Sequence, residues 1–210
     1  MTCPVLTMIG VAKHYRAGVT GCSATVDVLR AVDMQVHAGE ILSLVGLPGA
    51  GKSTLLLCAA GLLHPDAGTV LWFGCATRPA ERTRVIALVA EPRADYRSPT
   101  VREALAEYAT RPGLLLLDDP FVATYRSGRA ALRSTLDALA REGTAIVIAS
   151  RPGSPIVDLA TRHATLVAGV IAQTDQRRNR SAARISASSW APRASTSTRS
   201  TSGRSFRSPQ

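Results

Sequence analysis

Gly46-Leu47-Pro48-Gly49-Ala50-Gly51-Lys52-Ser53-Thr54 is the stretch on which the fold of this 210-residue chain turns. It fits the pattern G-x-x-x-x-G-K-[ST], and its neighbours supply the context that the pattern needs. Ahead of it, Ile41 to Val45 is rich in Leu, Val and Ile, as in a strand buried on both faces of a parallel sheet. Behind it, Lys52 to Leu63 carries Leu55, Leu56, Ala59 and Leu63 at helical spacing. A strand, a loop of small residues and a helix amino terminus together make a phosphate cradle. Backbone N–H groups turn inward, and the helix dipole adds roughly half a positive charge. Gly46, Pro48, Gly49, Ala50, Gly51 and Thr54 are the expected cradle, with Lys52 reaching the outer phosphates and Ser53 ligating magnesium. Glycine-rich turns also join strands to helices without binding anything. An ammonium held among inward-pointing N–H dipoles with no acid in its loop nevertheless needs an anion.

The chain is long enough for one α/β domain with a substantial core, and 46% of its residues are hydrophobic. Its net charge of +10 is unevenly spread: residues 176–210 hold eight arginines and no acid, leaving +2 for residues 1–175. That Arg/Ser/Thr-rich tail has no apolar period and is expected to be disordered. It reads as an arm for nucleic acid or anionic lipid, or as the product of a reading-frame change after Gln173. Cys3, Cys22, Cys58 and Cys75 form no C-x-x-C pair and read as reduced thiols, mostly packing. No signal core and no run of 18 or more apolar residues is present, so the expected place is cytoplasmic, peripheral to a membrane through a partner.

Residues 5–11 and 25–36 read as strands, the second with Val26, Val28, Val32, Met34 and Val36 on one face. Val70–Phe73 and Val85–Val89 read as further strands, and Thr100 as the cap of a helix over 101–109 with Glu103 in a capping box. Leu114–Leu117 is a buried strand ending at Asp118-Asp119-Pro120. Arg126–Arg141 is a helix with Leu132, Leu136 and Leu139 on one face. Ala145–Ala149 is the next strand and Ile156–Thr161 a short helix. Ala164–Val167 with Val170–Gln173 form a hairpin around Gly169. Apolar strands alternating with helices give a mostly parallel sheet covered by helices, with an antiparallel region at the amino end.

A buried strand that ends in carboxylates delivers them to the sheet edge where the phosphate loop also lies. Asp118 is placed to act on magnesium and Asp119 on the attacking water; a carboxylate pair can also cap the helix that follows. With these residues in view, the chain resembles the ATP-binding subunit of an ABC transporter, a P-loop NTPase. GEILSLVGLPGAGKSTLLLCAAGLLHPDAGTVLWFG, from Gly39 to Gly74, follows that family's Walker A region, and LLLLDDP resembles its Walker B, usually LLLLDEP. Tyr15 matches the aromatic on which adenine stacks, and Ile148 to Gly169 follows the end of the domain. The resemblance implies MgATP as ligand, a membrane-spanning permease subunit and a second ATP-binding subunit as partners, and a domain over residues 1–175.

The departures are local. Only 24 residues separate Val89 from Leu114, where the family carries a helical subdomain with the LSGGQ signature. That subdomain is largely missing, between about residues 92 and 112, and the signature is absent. Glu91 stands at the Q-loop glutamine, where it can still ligate magnesium. Arg151 stands at the switch histidine and Tyr125 at the D-loop aspartate. Asp119 in place of Glu leaves intrinsic pKa nearly unchanged but shortens reach by over ~1 Å, a misplacement that can cost on the order of 10²-fold in rate. Three functions fit: an ABC-type ATPase with weak or partner-dependent hydrolysis, a non-hydrolysing nucleotide-binding regulatory module, and a small-molecule P-loop kinase. The strand-rich amino end and Asp-Asp-Pro argue against the last.

Overall fold

The computed structural model describes residues 3–19, 22–75, 86–89, 112–120, 126–154 and 158–176. Its central element is a six-stranded sheet in the order β5-β6-β7-β3-β8-β9. The strands are β3 (Ile41–Val45), β5 (Ile86–Val89), β6 (Leu114–Asp118), β7 (Ala145–Ser150), β8 (Arg162–Val167) and β9 (Val170–Gln176). All neighbours run parallel except β8 and β9, which form an antiparallel hairpin. The alternation rule holds along each central strand. Leu42, Leu44, Leu114, Leu116, Val147 and Ala149 pack on one face, and Ile41, Leu115, Leu117, Ile146 and Ile148 on the other. Strands apolar on both faces are what a parallel sheet between two layers requires.

Each face has its own cover. Helix α1 (Lys52–Ala59) lays Leu55, Leu56, Cys58 and Ala59 on the first face, beside a three-stranded antiparallel sheet. Helix α2 (Arg126–Arg141) lays Leu132, Leu136 and Ala140 on the second, with Leu139 half-buried. The first helix is shorter than its leucine spacing predicts. Gly61, at φ 67, takes the left-handed conformation, Leu62 N–H donates to the Leu57 carbonyl at 3.0 Å, and Gly61 N–H to that of Cys58 at 2.9 Å. This Schellman closure stops the helix before Leu62 and Leu63, and Leu62 is left exposed. The buried Trp72 pins the same end, its indole N–H donating to the Ala59 carbonyl at 2.7 Å.

The antiparallel sheet has the order β2-β1-β4, from β1 (Leu6–Val19), β2 (Cys22–Val36) and β4 (Ala67–Trp72). The single apolar face expected from Val26 to Val36 does not form. Val32, Met34 and Val36 are buried, but Val26 is exposed and Leu29, of the other parity, takes the buried place. Ala31 at φ 51 and Gly10 at φ 58 lie among register shifts between the strands. A bulge adds one residue and so exchanges the two faces beyond it. Asp33 stabilises this point by accepting the Gly10 N–H at 2.7 Å.

At the carboxyl end, β9 continues past Gln173, and Gln176 pairs with Arg162, so the ladder extends three residues beyond the predicted strand. Cys58 is buried as expected, whereas Cys3 and Cys75 are exposed. The expected 101–109 helix, Glu91, Tyr125, the missing subdomain and the tail after Gln176 lie outside the described residues, as does part of the expected 156–161 helix. Among the described residues no helix is long and apolar enough to cross a membrane.

Candidate nucleotide site

Three strands end at one edge of the parallel sheet. The register pairs Val45 of β3 with Ser150 of β7, and Asp118 of β6 with Ala149 of β7. The chain leaving β3 is the Gly46–Gly51 loop, that leaving β6 begins with Asp119, and that leaving β7 begins with Arg151. Because β7 lies between β3 and β6, Arg151 emerges between the loop and the carboxylates. The result is a cavity of about 400 Å³. Pro48, Gly49, Gly51, Lys52, Ser53 and Thr54 line it from the loop and the start of α1, Asp118, Asp119 and Arg151 from the ends of β6 and β7, and Val28 from β2.

The loop wall is backbone chemistry. The first helical hydrogen bond is Leu55 N–H to the Gly51 carbonyl at 2.9 Å, so the amides of Lys52, Ser53 and Thr54 precede the helical ladder. Gly51 is the residue before the helix, at φ 102, with no side-chain cap, and the first turn holds no acid. The positive end of α1 therefore carries no carboxylate of its own first turn and opens on the cavity, as an anion-binding helix end does. Gly51 is required for two reasons: its backbone is left-handed, and a Cβ there would lie 2.7 Å from the Val28 carbonyl oxygen. The Lys52 ammonium donates to the carbonyls of Gly46 at 2.8 Å and Leu47 at 3.0 Å. The sequence argument that this ammonium needs an anion is thereby corrected, because the loop's own carbonyls already accept from it.

The opposite wall is side-chain chemistry. Asp119 is buried, 7% exposed, and sits at φ 43 with its N–H donating to the Ala149 carbonyl at 3.0 Å. Its carboxylate is paired with Arg151, Nε to Oδ2 at 3.1 Å, although the Arg151 side chain is 55% exposed. The pairing was not legible in the sequence, where Arg151 and Asp119 are 32 residues apart. Asp118 is half-buried beside it.

Of the predicted residues, the structure brings together Pro48, Gly49, Gly51, Lys52, Ser53, Thr54, Asp118 and Asp119. Gly46 and Ala50 are buried behind the loop. Gly46 N–H donates to the Ser150 carbonyl at 3.2 Å, and a Cβ on Gly46 would meet the Leu166 carbonyl oxygen at 2.7 Å. Tyr15 is exposed on β1 opposite Val26, two residues from Val28, and is not among the cavity's lining residues. Beside it Lys13 and His14 hold Asp66: Lys13 Nζ lies 2.8 Å from Oδ1 and the His14 N–H donates to Oδ2 at 2.7 Å. These contacts, the His14 amide foremost, lower the Asp66 pKa, and the bond to Asp66 raises that of Lys13.

The oxygen donors at the cavity suit a hard cation. Ser53 Oγ and the Asp118 carboxylate are the type and number of ligands that magnesium takes from protein when phosphates and water complete its shell. Among the described residues no cluster of three or more His, Cys, Asp or Glu is arranged for a metal.

Comparison with known proteins gives one answer. A family profile described as ABC transporter matches residues 29–111. A Streptomyces coelicolor protein named as an ABC transporter ATP-binding protein is 32% identical over 195 residues, covering 70% of this chain and 35% of the relative. The lipoprotein-releasing system ATP-binding protein LolD of Roseobacter denitrificans is 35% identical over 158 residues, covering 73% of this chain and 64% of LolD. The chain thus spans between about a third and two thirds of the length of these relatives. Among solved structures, a bacterial ABC transporter cassette in dimeric form superposes with a TM-score of 0.67 at 19% identity, over 81% of this chain and 98% of that one. With the fold, the loop and these relatives in agreement, the chain carries a nucleotide-binding domain of the ABC transporter type.

Proposed function

We propose that this chain binds MgATP in the cavity between the Gly46–Thr54 loop and the Asp118-Asp119 strand end, and that it hydrolyses the nucleotide weakly unless a partner completes the site. The observation that carries this reading is the amino end of α1, with no acid in its first turn, lining one 400 Å³ cavity together with Asp118 and Asp119. In this reading the amides of Gly49, Gly51 and the first turn of α1 bind phosphate oxygens, and Lys52 exchanges its loop carbonyls for the outer phosphates. Ser53 and Asp118 hold magnesium, with Glu91 as a further ligand, and Tyr15 stacks on adenine. Magnesium held there supplies neutralisation of phosphate charge. Asp119 orients the attacking water.

The Asp119–Arg151 pair supports the slow-turnover part of the reading. The Arg151 Nε occupies Oδ2 of the Asp119 carboxylate, an oxygen that would otherwise be open to a water, and Arg151 itself cannot accept a proton. The same pair favours a second reading, a regulatory module that holds ATP without turning it over. By analogy with LolD, an ATP-binding protein of a lipoprotein-releasing system, the partners are a permease subunit and a second ATP-binding subunit at the cytoplasmic face of a membrane. Isothermal titration with MgATP beside a phosphate-release assay, with and without partner chains, tests both readings. Binding with partner-dependent turnover supports the first, and binding without turnover under any condition the second. Unchanged MgATP binding by Lys52→Ala overturns both.

A further inference from the structure

We infer that the Ala168-Gly169 turn is a positioning element for the phosphate loop, with Gly169 as its essential residue; this rests on the nucleotide reading above. The turn joins β8 to β9 as a two-residue hairpin loop, with Ala168 at φ 47 and Gly169 at φ 80. It lies against two other parts of the molecule. Gly169 N–H donates to the Ala50 carbonyl of the phosphate loop at 3.2 Å, and the Gly169 carbonyl accepts from Arg30 N–H of β2 at 2.8 Å. One buried residue thus ties the loop to the antiparallel sheet.

The bond to Ala50 has a directional consequence. The Ala50 carbonyl and the Gly51 N–H belong to one planar trans peptide, so they point in opposite directions. Holding the carbonyl toward Gly169 turns the Gly51 N–H away from the turn, on the residue that lines the cavity. The space around this contact is filled. A Cβ on Gly169 would lie 2.4 Å from the Val28 carbonyl oxygen and 3.0 Å from the carbonyl carbon. A Cβ on Gly51 would lie 2.7 Å from that same oxygen. Strand β2 is therefore seated between the two glycines at Val28, which also lines the cavity. Bulk at Gly169 must displace either Val28 or the turn, and either movement rotates the Ala50-Gly51 peptide that the phosphates meet.

The test compares Gly169→Ala, Gly169→Asn and Gly143→Ala in the full chain. Gly143 is a matched control, since it is also left-handed, at φ 99, but a Cβ there meets nothing within 4 Å. Melting without nucleotide and isothermal titration with MgATP are read for each variant. All are expected to keep the fold; only the Gly169 variants weaken MgATP binding, by between about twofold and about thirtyfold. Asn tolerates left-handed backbone but keeps a Cβ, so its affinity falls with that of Ala if contact with Val28 is the cause. Unchanged affinity in both Gly169 variants, with the unaltered chain binding, overturns this inference alone. Failure of the unaltered chain to bind MgATP overturns the nucleotide reading and this inference with it. Should the Gly169 variants not fold, hydrogen exchange on the unaltered chain decides. Saturating MgATP is expected to slow exchange in a peptide over residues 166–173 together with the loop, and unchanged exchange there overturns the positioning role.

Discussion

The two walls of the cavity are built by different means. The loop wall is made of main chain: amides at the start of α1, a left-handed Gly51, and carbonyls that hold Lys52 in place. Behind it Leu55 and Leu56 are completely buried. The carboxylate wall is made of side chains, Asp118, Asp119 and a largely exposed Arg151, and its defining contact is one ion pair. A wall made of backbone on a packed core tolerates change in neighbouring side chains, because its hydrogen-bonding groups are common to every residue. A wall made of side chains changes its chemistry with each substitution. The family's phosphate-binding pattern is intact in the first wall, whereas the second departs from the family at Asp119 and Arg151.

That contrast can be broken experimentally. The largest effect is expected from Leu55→Ala, which removes a fully buried side chain beneath the loop and costs about 2–5 kcal/mol in urea unfolding. A loss under about 1 kcal/mol would show that the core does not support the loop wall. Next, Lys52→Ala is expected to weaken MgATP binding on the order of 10²-fold by titration, since it removes charge-assisted hydrogen bonds to phosphate.

The carboxylate wall is sharpened by adding back reach and freeing the carboxylate. Asp119→Glu combined with Arg151→His is expected to raise phosphate release by about tenfold or more, while affinity changes far less than in Lys52→Ala. No gain in turnover from the double variant would locate the limit elsewhere, such as the missing signature.

The smallest effect is a pH dependence of the loop wall. Burial raises the Cys58 thiol from 9.0 to about 11. A raised folded-state pKa contributes stability that is fully present below 9.0 and is lost as pH rises through about 11. Lys13, raised by Asp66, adds to this loss only above 10.5. The denaturation midpoint of the unaltered chain should therefore fall across this range, and Cys58→Ala should flatten the first part of the fall. An unchanged slope in that variant would remove Cys58 as the cause.

The parallel sheet was legible because its strands are buried on both faces, so Leu114 to Leu117 and Ile41 to Val45 read as apolar runs whatever their partners. The antiparallel face was less legible. The valines from Val26 to Val36 keep a regular spacing, but the bulge at Ala31 exchanges the faces, and a bulge has no strong local sequence signal when its left-handed residue is not glycine. The first helix was overestimated because leucine spacing continues past Gly61, whose left-handed conformation ends it. In the site, the loop was legible as a motif, but the partner of Asp119 was not.

By itself the sequence determined the alternation of strands and helices, the phosphate loop, the strand-end carboxylates and the family pattern they form. These are local matters: they depend on periodicity, on small residues where backbone must turn, and on residue types at short spacing. Tertiary structure alone decided that Arg151 pairs with Asp119, that Val28 lines the cavity, and that Gly169 holds the carbonyl of Ala50. Those contacts join residues far apart in the chain, and they follow from the strand order that sets β7 between β3 and β6 and brings the β8–β9 turn behind the loop.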